Sequence, residues 1–79
     1  MDGQVSVELV TESALAGHCR GWDGTTAFRL ANGEVWQQCA WRWRTLYLSF
    51  PAIRIWRIGP RFYLEVEGTQ EILPVERMH

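Results

Sequence analysis

The side chains that could do chemistry in this chain are few, and their spacing does not suit it. His18 and Cys19 are adjacent. On an extended chain they point to opposite faces, so they cannot serve one metal ion or one catalytic dyad. Cys39 and His79 lie far from each other and from that pair, and zinc-ligand spacing is missing. Glu65 and Glu67 share one strand face, where cross-strand ion pairing is the ordinary role of such carboxylates. The chain has no glycine-rich phosphate loop and no nucleophile elbow. The reading is therefore of no catalytic residue, no metal site and no cofactor.

The chemistry that does stand out is aromatic and cationic. Cys39 to Phe50 reads CAWRWRTLYLSF. Taken as one strand from Trp36 to Arg44, the period of two puts Val35, Gln37, Cys39, Trp41 and Trp43 on one face. Trp36, Gln38, Ala40, Arg42 and Arg44 take the other. The Trp41/Trp43 face then packs in or over a core, and the arginine face is solvated. Beyond Thr45 both faces turn apolar, with Tyr47 on one and Leu46, Leu48 and Phe50 on the other. A half-buried strand does not need two apolar faces, so something covers the second. The candidates are the N-terminal segment Val5–Leu15 and a second copy of the chain, and the expectation is a homo-oligomer, most simply a twofold dimer.

All eight basic residues are arginine. Five of them, Arg42, Arg44, Arg54, Arg57 and Arg61, fall within residues 39–62, a segment without an acid. Guanidinium groups grip phosphate, and Trp56 or Tyr63 could stack bases between them. This makes nucleic acid the alternative partner, held by Arg54, Arg57 and Arg61. Against it stand a net charge of −1 and acids on both sides of the block. Glu65 and Glu67 could also pair with Arg54 or Arg57 across a sheet. A biased genome composition would give the same arginine-only usage.

These residues must be positioned by a single small domain of 79 residues. Such a chain buries only about 60% of its unfolded surface, so it needs dense aromatic packing, a staple or a partner. Five Trp, three Phe and two Tyr supply the first. The start, Met1-Asp2-Gly3-Gln4, is polar, and no run of 18 apolar residues follows. The expectation is no signal peptide, no membrane span and a cytoplasmic location. Cys19 and Cys39 are expected reduced, small and buried, with a bridge between adjacent strands as the alternative.

Gly, Pro and Asn punctuate the chain, and Val, Ile, Trp, Tyr and Phe dominate between them, an all-β pattern. Gln4–Thr11 alternates Val5, Val7 and Leu9 against polar neighbours, and residues 1–12 read as a peripheral strand or arm. Ser13–Arg20 could begin as a helical turn. Gly21-Trp22-Asp23-Gly24 is a turn. Thr25–Leu30 is a strand with Phe28 and Leu30 on one face. Asn32-Gly33 suits a type I′ hairpin. Its partner begins at Glu34-Val35-Trp36, runs past Arg44 and bends or bulges near Thr45 or Leu46. Phe50-Pro51 marks a corner. Ala52–Ile58 is a strand, and Phe62–Glu67 is another with Phe62, Leu64 and Val66 inward. Ile72–Val75 and Val75–Met78 close the chain. Five to six bent antiparallel strands of this length suggest a small SH3-like, partly open barrel.

The run Gly21-Trp22-Asp23-Gly24-Thr25, then Phe28, Leu30, Asn32-Gly33 and Val35-Trp36-Gln37-Gln38, is similar to a family of short bacterial proteins and domains of unknown function. Their shared pattern is GWDG-T-F-L-NG-WQQ. The resemblance extends through Trp41/Trp43, Pro51, Ile53/Ile55 and Leu64–Gly68. It implies a small SH3-like barrel carried in some cases on mobile gene cassettes, and it brings no catalytic role. This chain departs from the family where Trp41, Trp43, Thr45 and Ser49 stand in a strand that often alternates Tyr. Within the motif, Trp22 and Trp36 can pack on opposite sides of the hairpin and Asp23 can cap the turn. At least one of Gln37 and Gln38 can bond to backbone from a half-buried site.

The functional expectation is a non-catalytic binding module that self-associates through its aromatic strand. Its contact residues would be Trp36, Gln37, Gln38, Trp41, Arg42, Trp43, Arg44 and Tyr47. Nucleic-acid binding is the first alternative. The second is an enzyme built at the pore of an oligomer, as in the type II plasmid dihydrofolate reductases. Gln70–Pro74 resembles their Val-Gln-Ile-Tyr-Pro strand only loosely, because Glu71 intrudes and Leu73 stands where the Tyr would be.

Overall fold

A computed structural model describes residues 6–79. Eight antiparallel strands form, and among the described residues there is no helix. They are β1 (Val7–Ala14), β2 (His18–Trp22), β3 (Ala27–Arg29), β4 (Val35–Gln38), β5 (Arg44–Ser49), β6 (Ala52–Ile58), β7 (Arg61–Val66) and β8 (Ile72–Arg77). Six make one sheet in the order β1-β6-β7-β8-β4-β3, and β2 pairs with β5 as a separate two-stranded ribbon. Neither sheet closes on itself. A bridge between Leu15 and Leu30 joins the end of β1 to the end of β3. The fold is thus all-β, small and open, with eight short strands where five to six were expected. The expected strand from Glu34 past Arg44 is divided into β4 and β5, and Ser13–Arg20, expected to begin as a helical turn, is extended and leads into β2. Val5 lies outside the described residues.

Alternation decides which side chains enter the core. On β6 and β7, Ile53, Ile55, Leu64 and Val66 are buried, as the period of two requires. Leu73 and Val75 continue that face on β8, while Phe28 and Leu30 close it from the β3 end. Trp22 and Trp36 were expected on opposite sides of the hairpin. Both enter this one core instead, Trp22 edge-on to Phe28 and Trp36 tilted against Phe62.

The hairpin at Asn32-Gly33 forms by a different turn. A type I′ turn needs positive φ at both central residues. Here Gly33 has φ 94 and Asn32 does not join it in the left-handed region. The Gly33 N–H donates to the Leu30 carbonyl at 3.0 Å and the Leu30 N–H to the Glu34 carbonyl at 2.8 Å. This is a three-residue loop with a glycine bulge, which absorbs the strand twist as well. The Asn32 side chain stays local and accepts the Glu34 N–H at 3.0 Å.

Of the four strands that end the sheets, β1 and β5 are irregular and β3 is short. β1 carries an extra residue, Val10, between its Leu9 and Thr11 pairings with β6. β5 carries one too, because Leu46 and Tyr47 both fall opposite Arg20 of β2. That is the bend or bulge expected near Thr45 or Leu46. β3 is only three residues long.

Candidate functional site

The strand expected to run from Trp36 to Arg44 stops at Gln38. Residues 39–43 leave the ladder, and β5 resumes at Arg44 on a different partner. The division of faces drawn from a continuous strand therefore fails in two ways. First, within β4 the inward residues are Trp36 and Gln38, at 2% and 3% exposure, so the face assigned to solvent is the core face. Second, Trp41 and Trp43 are not packed in or over the core: they stand 87% and 76% exposed. Tyr47 at 62% and Phe50 at 60% extend the same exposed aromatic stretch along β5. Cys39, expected buried, is exposed in this loop, whereas Cys19 is buried, and both thiols are free.

The loop is exposed but not loose. Gln38 lies beneath it and spends both ends of its amide on backbone. Its Oε1 accepts the Gly24 N–H at 2.8 Å and its Nε2 donates to the Arg42 carbonyl at 3.0 Å. The Arg42 N–H closes a tight turn onto the Ala40 carbonyl at 2.9 Å. Arg44 donates from Nη1 to the Thr69 carbonyl at 3.2 Å and forms an ion pair with Glu71. Trp41 rests on the facing turn: a Cβ built on Gly24 would lie 2.7 Å from Trp41 Cε3. Gly24 also has φ 101, a conformation that disfavours any side chain.

That facing turn is fixed by Asp23. Its carboxylate accepts the Thr25 N–H at 3.0 Å, the Thr25 hydroxyl at 3.0 Å and the Thr26 hydroxyl at 3.2 Å. These bonds, the Thr25 amide first, hold the Asp23 carboxyl below its usual range. The turn residues and Trp43 together enclose a shallow recess of about 260 Å³, with Arg20, Trp22 and Thr26 in its wall. The buried indole N–H of Trp22 has no hydrogen-bond partner among the described residues.

At the other end of the ribbon three rings meet. His18 stacks on Tyr47 with centroids 5.4 Å apart and meets Phe50 at 5.5 Å. His18 Nδ1 lies 3.2 Å from the Ser49 hydroxyl. Phe50 holds φ 47, unusual for so bulky a residue, and a strain of order 1–3 kcal/mol is typical there. Its N–H donates to the Gly17 carbonyl at 3.0 Å, which secures the corner.

The arginine block does not assemble into one surface. Arg54 and Arg57 are on opposite faces of β6, by parity. Arg54 is bound by Glu12 at 2.9 Å and approaches Glu65 at 3.9 Å, and the Glu12 bond raises its pKa further. Arg61 begins β7, and Arg42 and Arg44 donate to the carbonyls of Ile72 and Thr69. Of the residues expected at a contact surface, Trp41, Arg42, Trp43, Arg44 and Tyr47 fall on one continuous segment. Trp36 lies beneath it in the core, Gln38 supports it, and Gln37 points to the far side of β4. His18 and Phe50 were not expected at the surface. Nothing in their sequence spacing marks them, because a strand pairing over 31 residues brings His18 to Ser49.

Among the described residues no three His, Cys, Asp or Glu side chains gather as a metal site, and no helix is long and apolar enough to cross a membrane. No family model, no curated protein and no solved structure matches the chain.

Proposed function

We propose that this chain is a non-catalytic binding module that self-associates through the exposed aromatic segment Trp41–Phe50. One observation carries the reading. Four large aromatic side chains stand at least 60% exposed within ten consecutive residues, on a loop and ribbon whose backbone is held in place. Trp and Tyr are the residues that dominate protein interfaces. Covering these four rings would remove roughly 500 Å² of surface per copy, against about 800 Å² per partner in an interface of ordinary size. The surrounding loop supplies the rest.

Light scattering on a size-exclusion column tests this, from micromolar to high micromolar concentration. The wild type is expected as a dimer or larger. Trp43→Ala and Trp41→Ala are expected as monomers with unchanged circular dichroism, since neither ring supports the core. A wild-type monomer at high micromolar concentration ends the proposal.

A further inference from the structure

We infer that Gln38 is the positioning residue of the exposed tryptophan pair: buried itself, it holds Trp41 and Trp43 in the geometry in which they bind. The inference rests on the proposed contact surface for its consequence, though its structural half stands alone.

A buried amide is an expensive choice for a core position, tolerated only when both its ends are bonded. An aliphatic side chain would fill the space without that demand. Gln38 meets the demand in an informative way. Its bonds go to two exposed segments, Gly24 of one turn and Arg42 of the tryptophan loop, and to no other side chain. Arg42 sits between Trp41 and Trp43 in the chain, so fixing its carbonyl fixes the backbone from which both indoles project. The Gly24 amide is the second anchor, and the Trp41 ring lies against that same glycine. One amide therefore ties together the loop and the turn it leans on. Neither Trp41 nor Trp43 is held by core packing, so without the clamp their positions would scatter. Ordering them at the moment of binding would then cost affinity, which preorganisation avoids.

The test is made on the full chain with two variants, Gln38→Ala and Gln38→Glu, by NMR of the five indole N–H groups and by light scattering. In Gln38→Ala the Trp36 and Trp56 signals are expected to stay put, because their bonds to Glu34 and Glu65 are untouched. The Trp41 and Trp43 signals are expected to move toward those of a free indole, and self-association is expected to weaken by about tenfold. Gln38→Glu supplies the readout that a merely structural role would not move. Its ionised carboxylate can accept from Gly24 but cannot donate to Arg42, while the protonated form can do both. The loop signals should therefore sharpen as pH falls through that carboxyl's titration. Unchanged Trp41 and Trp43 signals in both variants overturn the inference. So does a loosened loop with undiminished association. If the wild type is a monomer throughout, the self-association reading falls, and the indole signals alone decide whether Gln38 positions the loop. If Gln38→Ala does not fold, the pH response of Gln38→Glu decides it.

Discussion

Trp36 donates its indole N–H to the carboxylate of Glu34, two residues back, at 2.9 Å. Trp22, buried in the same core, has no acceptor for its indole among the described residues. The two rings therefore respond differently to the same change. Trp36→Phe breaks a bond to a charged acceptor and should cost about 1–3 kcal/mol beyond its lost volume. Trp22→Phe removes an unsatisfied donor and should cost less. Urea denaturation of both variants decides it, and a larger loss for Trp22→Phe would contradict this account.

Gly21 leaves no room for a side chain between the two ribbon strands. A Cβ there would meet the Arg44 carbonyl oxygen at 1.9 Å, and its φ is 106. The obstruction is backbone and cannot swing aside. Gly21→Ala should destabilise by about 2–4 kcal/mol, combining the conformational cost with displacement of β5. Thermal unfolding would show it, and a melting temperature within two or three degrees of wild type would refute it.

Leu64 and Ile55 face each other across β6 and β7 with no exposed surface. Either one changed to Ala should lose about 2–5 kcal/mol. For a domain of this size that is a large share of total stability, so the variants are expected to be partly unfolded at room temperature by circular dichroism.

The Arg44–Glu71 pair is roughly one-third exposed on both sides. Exposed pairs contribute about 0–1 kcal/mol and fade in salt. Glu71→Gln should accordingly lower stability by less than about 1 kcal/mol at low salt, and the difference should shrink when salt is raised. A loss that salt leaves unchanged would point to packing instead.

Asp23 gives the protein an acid-side dependence. Its folded carboxyl titrates below the unfolded one. The stabilisation it provides is complete above the ordinary carboxylate range and disappears as pH falls through the folded value. Asp23→Asn should unfold with a shallower acid limb than wild type. Identical limbs in an acid titration followed by circular dichroism would show that the turn bonds matter little.

Much of the fold is legible in the sequence. Ala52–Ile58 and Arg61–Val66 alternate cleanly, and a turn at Gly59-Pro60 separates them, so period and punctuation agree. Phe28 with Leu30, and Leu64 with Val66, are inward as their spacing says. The tryptophan segment is less legible, for two physical reasons. Alternation divides residues into two faces without saying which is inside, and Trp36 with Gln38, not Trp41 with Trp43, took the inner one. The chain also leaves the ladder after Gln38, and no glycine or proline marks the exit. That one of the two glutamines bonds to backbone was legible; that Gln38 bridges to Gly24 was not, because Gly24 is 14 residues away and offers a backbone amide, which no residue type announces.

The bulges at Val10 and Leu46–Tyr47 and the brevity of β3 have a consequence for how neighbours address this molecule. A clean strand edge is read through the backbone, which every protein shares, and such an edge recruits indiscriminately and without end. Here β1 and β5 are each interrupted by a bulge and β3 is too short to serve as a template. What is left to recognise is a particular set of rings at particular angles. A partner must match their shape, and a match of that kind is used up once both surfaces are covered. Tryptophan is thus shown to a crowded solvent beside strand edges poorly suited to extending a sheet.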